Sequence, residues 1–230
     1  MNVFKLISER YSPGEIFTIE DVLDLCKTRT SLLVIISRLA AKGKIAKLRN
    51  GAYYIPAQRQ FFGIPKPSKE EVVKYLCKRT KGYLSGYSLY NMMGLTEQVP
   101  NIIVIACKNF TPGVLSINGR LVKLIKAHCS PSSRNLFALH ILDVLMNVLI
   151  IPGRSPQESY ERLLSLVSCL TTEKLLTLVN CAKEYPPRTR YLCSCILEDL
   201  GYNELSFNLL KTINPSTLNG YKYSRLIPRN

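Results

Sequence analysis

Residues 37–56 read SRLAAKGKIAKLRNGAYYIP. The stretch is the end of a helix, a glycine stop, and two short apolar-basic runs around Asn50-Gly51. Gly43 suits the left-handed position that follows a helix C-terminus. Asn-Gly between two such runs is the strongest short hairpin signal, because both residues tolerate positive φ. With that turn, Leu48 sits opposite Tyr53 and Ala46 opposite Ile55 on one face, and Lys47, Arg49 and Tyr54 take the other. Arg38, Lys42, Lys44, Lys47 and Arg49 are basic, Arg59 follows, and no residue from 37 to 56 is acidic. A small hairpin with one apolar side and one basic side needs a core on the first and an anion on the second.

The preceding residues supply the core. Val3, Leu6 and Ile7 share one face of a short helix ending near Arg10. After the turn YSPGE and an apolar Ile16-Phe17, Thr18 and Asp21 have capping-box spacing for a second helix with Val22 and Leu25 inward. A third helix is predicted from about Thr30 to Lys42, with Leu32, Leu33, Ile36, Leu39 and Ala40 as its apolar stripe. Its outward side is then Arg29, Thr30, Ser31, Val34, Ser37 and Arg38. Three helices and a basic hairpin are the order of parts in a winged helix-turn-helix. In that arrangement short polar groups approach base edges, and Arg38 and Lys42 run along the phosphates.

The segment IPAQRQFFGIPKP reads as a linker, so residues 1–60 and 61–230 are predicted as separate domains. Ser68 and Glu71 form a second capping box, and a helix from about Ser85 to Met93 stops at Gly94. The period then changes: NIIVIACKN reads as a buried strand, and VLSINGRLVKLIKAH as a hairpin around Asn118-Gly119. Residues 61–130 are therefore mixed α/β. From 131 to 215 the pattern is helical, with the apolar run ALHILDVLMNVLII interrupted by Asp143, a capped helix start at Ser155-Pro156-x-Glu158, and stops at Pro186-Pro187 and Gly201. Residues 216–230 read as an irregular tail. The expected fold class is α+β.

The net charge of +15 favours a polyanionic partner. Residues 1–60 carry ten Lys/Arg against five Asp/Glu, and residues 61–154 twelve against four. The remaining residues, 155–230, carry nine against seven, so the first two thirds should meet the anion. Eight cysteines occur with no C-x-x-C pair and mostly within apolar runs, which favours reduced, buried thiols and no metal. The longest apolar run is too short to span a bilayer and no signal peptide is evident, so a cytoplasmic protein without membrane contact is expected. No G-x-S-x-G, H-E-x-x-H, Walker or G-x-G-x-x-G pattern is present. His128 and His140 are the only histidines, and His140 has core spacing. An enzyme is not expected, nor a cofactor.

Several landmarks in order, ISRLAAKGKIAKLRNGAYYIP, NMMGLTEQVPNIIVIA, EYPPRTRYLCSCILEDLG and NPSTLNGYKYSRLIP, resemble the AbiEi family, antitoxins of bacterial type IV toxin–antitoxin systems. The resemblance covers most of the chain, and GLTEQVP before a strand is its most specific part. It implies a winged helix that binds inverted repeats in duplex DNA and represses its own operon. It also implies a C-terminal domain that neutralises a nucleotidyltransferase-fold toxin, without requiring a stable complex between the two.

On that resemblance the DNA-contacting residues are Arg29, Thr30, Ser31 and Arg38 on the third helix and Lys47, Arg49 and Asn50 on the wing. Lys42 and Lys44 join them by charge. Lys74, Lys78, Arg79, Lys81, Arg120, Lys123 and Lys126 are antitoxic candidates by charge alone. Arg188 and Arg190 lie in the family-like PPRTRY segment, where antitoxic and structural readings weigh evenly. No heptad announces a dimer, so a monomer or weak dimer assembling cooperatively on DNA is expected. A free-standing winged-helix regulator whose C-terminal domain binds a protein or small effector is the alternative.

Overall fold

The computed structural model describes residues 2–57, 63–108 and 110–224. Arg59, most of the linker's middle and residues 225–230 of the expected tail lie outside the described residues. The chain is α+β and forms two compact units. The first comprises Met1–Arg79 with Val114–Val122, and the second Thr80–Gly113 with Lys123–Asn230.

The first unit begins with α1 (Val3–Arg10), whose N-cap Asn2 accepts from the Lys5 N–H. After β1 (Ile16–Thr18), the Thr18–Asp21 box forms as its spacing predicts: Thr18 N–H and Oγ1 both donate to Asp21 Oδ2, and Asp21 N–H donates back to Thr18 Oγ1. The helix it introduces is a 3₁₀ turn, Glu20–Leu25, that still buries Val22 and Leu25. Next comes α2 (Arg29–Ala41), capped by Thr28. Leu32 and Ile36 are fully buried, and Leu39 and Ala40 pack against the same core. Leu33, expected on that stripe, is instead 42% exposed. One residue round the helix from Leu32 is enough to turn it outward.

Two backbone bonds close α2: Gly43 N–H to Ala40 O and Lys44 N–H to Leu39 O, with Gly43 at φ 65°. This is the Schellman pattern, and it delivers the chain straight into β2 (Ala46–Arg49) and β3 (Ala52–Tyr54). The sheet order is β1-β3-β2. The hairpin register differs from the expected one. Lys47 pairs Tyr53 and Ala46 pairs Tyr54, with an irregularity between Lys47 and Arg49 before Arg49 meets Ala52. Of the turn residues only Gly51 has positive φ, at 77°, so Asn50 does not complete the two-residue turn that register requires. Tyr54, expected on the basic face, is buried. As the central strand, β3 is covered on both faces, Tyr53 stacking on Phe17 at 6.3 Å, so alternation could not distinguish them. Ile7, Phe17, Ile19, Val22, Leu32, Ile36 and Ile45 form the core, each contributing roughly 1.5–3 kcal/mol by burial.

The first unit also runs past the residues 1–60 that the sequence sets apart. It takes in α3 (Lys69–Thr80) up to Arg79, a helix begun by Ser68 Oγ accepting from Glu71 N–H at 3.2 Å. Lys74 and Lys78 of α3 pair with Glu15 and Asp21.

The second unit is built around α5 (Leu136–Asn147), which buries residues on nearly all sides, as its apolar run predicts. Around it pack α4 (Gly86–Met92), α7 (Thr172–Ala182) and α8 (Pro187–Asp199). Between α5 and α7 runs α6 (Pro156–Ser168), opened by the complete Ser155–Glu158 capping box. Following α8 are α9 (Asn203–Leu210) and α10 (Pro215–Ser224). The tail expected to be irregular is thus helical to Ser224: proline at its first position has the φ a helix start needs, and Tyr221 packs its ring 5.5 Å from Tyr191 of α8.

The strands β4 (Tyr83–Ser85), β5 (Ile102–Cys107), β6 (Gly113–Ile117) and β7 (Arg120–Lys126) have the order β4-β5-β7-β6. At the tip of the β6–β7 hairpin, Asn118 and Gly119 both take positive φ, 53° and 79°, the turn predicted there. Strand β4 pairs antiparallel with β5, Ser85 opposite Val104.

Candidate nucleic-acid interface

The outward side of α2 carries Arg29, Thr30, Ser31, Leu33, Val34, Ser37, Arg38 and Lys42, all exposed. At its start, the Thr28 hydroxyl accepts from the Ser31 N–H at 3.2 Å and donates to Ser31 Oγ at 2.8 Å. The cap fixes the first turn, whose residues Arg29, Thr30 and Ser31 are exposed, and the partial positive charge of a helix start suits an anionic oxygen. Arg38 and Lys42 make no ion pair with a described residue in the structure and extend from the last turn of α2.

The predicted set divides there. Arg29 Nη2 donates to Glu20 Oε1 at 3.0 Å, so this cation is already neutralised locally. Arg29, Asn50 and Gly51 line a cleft of about 580 Å³ together with Glu20, Asp21 and Lys78. Acids at that wall repel phosphate, and the cleft side of Arg29 and Asn50 is the less favourable one for DNA. Lys44 Nζ lies 4.9 Å from the Phe4 ring centroid, a cation–π contact that holds its stem on the core. Lys47 is exposed and Arg49 half-buried on β2. Arg38, Lys42, Lys44, Lys47 and Arg49 thus have no acid partner among the described residues, and of these Lys44 is engaged by the Phe4 ring.

The antitoxic candidates divide between the two units. Lys74, Lys78, Arg79 and Arg120 belong to the first unit, and Lys81, Lys123, Lys126, Arg188 and Arg190 to the second. Lys78 Nζ donates to Asp21 at 2.7 Å, Lys74 stands 3.8 Å from both Glu15 and Glu71, and Arg79 donates to Tyr75 Oη at 2.9 Å. Lys81, Lys123 and Lys126 are exposed. Arg190 Nη1 donates to the Thr212 carbonyl at 2.7 Å and to its hydroxyl at 3.1 Å. That contact fastens the end of α9 to α8, which gives Arg190 a structural task.

The GLTEQVP segment is locally held. Asn91 Nδ2 donates to the Thr96 carbonyl at 3.0 Å, and the Gln98 N–H donates to Thr96 Oγ1 at 3.2 Å. Buried Thr96 anchors the turn that leads into β5.

One polar constellation shows in the sequence only as the interruption of an apolar run at Asp143. Asp143 is 2% exposed and accepts from Ser85 Oγ at 2.6 Å, Tyr185 Oη at 2.7 Å and Tyr83 Oη at 3.2 Å. Burial raises its carboxyl above the ordinary range, and the three hydroxyls and the His128 charge pull it partway back. Burial likewise raises both tyrosines. Asp143, Ser85, Tyr83 and Tyr185 are all buried, and Ser85 stands at the wall of a cleft of about 250 Å³. The signal was one carboxylate in an apolar helix, which needs hydroxyl partners from elsewhere in the chain.

The cysteines are all free. Cys107, Cys129, Cys181, Cys193 and Cys195 are buried, whereas Cys26 and Cys77 are half-buried and Cys169 is exposed, so the expected burial is partial. Burial pushes the Cys129 and Cys193 thiols up to about 12. Such thiols stay protonated and unreactive at neutral pH. Among the described residues no cluster of His, Cys, Asp or Glu could hold a metal, and no helix is long and apolar enough to cross a membrane.

The chain belongs to a family of unknown function, DUF6088, whose family model matches residues 4–149. No curated protein matches it. Among solved structures it is similar to the crystal structure of the RV2827C protein from Mycobacterium tuberculosis. The identity is 16% and the TM-score 0.42, over 92% of this chain and 80% of that one, a likeness too distant to bear on function.

Proposed function

We propose that the first unit is a winged helix-turn-helix that binds duplex DNA, and that the chain is an AbiEi-like autorepressor and antitoxin. The observation that carries the DNA reading is α2, a capped helix with an exposed polar and basic side that runs through Gly43 into a basic hairpin. The order of helix, short strand, short helix, helix and hairpin, with β1 paired to β3, supports the winged form. The charge of +15 supports a polyanionic partner. On this reading α2 lies in the major groove, Arg38 and Lys42 follow the backbone, and Lys47 and Arg49 hold the flanking phosphates.

The antitoxin half rests on the GLTEQVP and PPRTRY segments and their resemblance. The exposed cations Lys81, Lys123 and Lys126 are its remaining candidates, and a cytoplasmic location goes with it. The alternative is a free-standing regulator whose C-terminal domain binds a protein or small effector; the 580 Å³ cleft beside Arg29 lies wholly in the first unit and lends it no support.

Two experiments separate the halves. DNA upstream of the protein's own coding sequence should be retarded in a gel in excess scrambled competitor; retardation of no upstream duplex overturns the repressor reading. Co-expression with the product of the adjacent gene should restore growth if that gene encodes a nucleotidyltransferase-fold toxin. Failure to restore growth overturns the antitoxin reading and leaves DNA binding standing.

A further inference from the structure

The outward side of α2 has a composition unusual for a base-reading helix. Its sequence RTSLLVIISRLAA contains no Asn or Gln, the side chains that bond both edges of adenine, and no Asp or Glu to accept from cytosine. Arg29, the arginine nearest its start, is held by Glu20. Arg38 lies in the last turn, beyond the N-terminal part of a recognition helix that meets base edges. Between them the exposed groups are Thr30, Ser31, Leu33, Val34 and Ser37. Leu33 and Val34 are 42% and 45% exposed although Leu32 and Ile36 beside them are wholly buried.

An exposed aliphatic residue alone signifies nothing. Here two adjacent ones stand in the middle of the surface whose surrounding cations select a nucleic acid, where polar readers would be expected. The one apolar feature in the major groove is the thymine C5-methyl, absent from the minor groove pattern. Valine fits that contact: branching at Cβ leaves few rotamers, so little side-chain entropy is lost on docking.

Resting on the DNA-binding reading, we propose that Val34, with Leu33 beside it, determines specificity by packing against thymine methyl groups in the major groove. Recognition is then by apolar contact, with the hydroxyls of Thr30, Ser31 and Ser37 satisfying neighbouring polar edges. The preferred half-site contains thymine at the position facing Val34.

The test uses the full chain and a randomised duplex pool, from which bound sequences are enriched and one winner is resynthesised. Thymidine is replaced by deoxyuridine one position at a time, which removes only the methyl, and affinity is read by fluorescence anisotropy. We expect at least one position where the replacement weakens binding roughly 3- to 5-fold, the value of one buried methyl. Val34→Ala should weaken the thymine duplex similarly and abolish the difference between the two duplexes, with an unchanged salt dependence. Val34→Thr, which keeps one methyl and the branch, should retain part of it. Because Val34 is exposed, these variants should melt like the parent, and a circular-dichroism melt checks that they do.

Binding that ignores every methyl, or methyl sensitivity that survives in Val34→Ala, overturns the inference and leaves DNA binding intact. A pool that is bound with salt dependence but yields no enriched sequence overturns it equally. No binding to any duplex overturns the underlying reading as well.

Discussion

Lys78 Nζ lies 2.7 Å from Asp21 Oδ1, an ion pair between α3 and the 3₁₀ turn that precedes α2. Burial alone would raise Asp21, but the bonds from Lys78 and Thr18 outweigh it and hold the carboxyl below its ordinary 3.8. The same pairing raises Lys78. A depressed carboxylate stabilises the fold above its unfolded value, and that contribution is lost as pH falls below 3.8 through the folded value. Lys78→Met should cost about 1 kcal/mol or less, since the lysine is largely exposed, and less still in high salt. Urea midpoints at low and high salt check this; a loss that ignores salt contradicts an electrostatic origin.

Asp143 should behave in the opposite sense. Its folded carboxyl is raised, so the fold holds the proton more tightly than the unfolded chain does. Stability is therefore lost as pH rises from 3.8 through the folded value. Asp143→Asn removes that slope while keeping an acceptor for the hydroxyls of Ser85, Tyr83 and Tyr185. Asp143→Ala leaves them without it and should cost about 3 kcal/mol. Denaturation midpoints across the acid range distinguish the two variants, and an unchanged slope in Asp143→Asn contradicts the assignment.

His140 offers the reverse slope from the same helix. Burial lowers it from 6.5, its Nε2 is buried without a hydrogen-bond partner among the described residues, and its ring lies 5.9 Å from that of Tyr83. Stability should fall as pH drops from 6.5 through the folded value, because only the unfolded histidine gains the proton readily. His140→Phe keeps the ring contact and should flatten that part of the curve. Thermal melts between neutral and mildly acid pH check it; a His140→Phe curve parallel to the parent contradicts it.

These features were unequally legible in the sequence. Helix α2, its glycine stop, the Ser155 box and the Asn118-Gly119 hairpin follow from local chemistry, and each formed where spacing placed it. Strand β4 is three residues long and exists through pairing with β5, about twenty residues away, so no local period marked it. The first hairpin slipped because β3 is covered on both faces, leaving the turn to choose the register, and Asn50 did not take positive φ. At the candidate interface the exposed cations were visible as charge. The Arg29–Glu20 bond was not, since nine residues separate them and only the fold brings them together. The Asp143 cluster was hidden for the same reason: its donors come from residues about sixty and forty positions away.

On the proposed reading the α2 face and the hairpin bind DNA through Arg38, Lys42, Lys47 and Arg49. Anisotropy of labelled upstream duplex, titrated across a salt series, tests it most directly. The logarithm of affinity should fall linearly with the logarithm of salt concentration. Alanine at each of these four positions should reduce the slope by about one, and Lys78→Ala should leave it unchanged. Binding that does not respond to salt, or a slope that these four substitutions leave untouched, contradicts it.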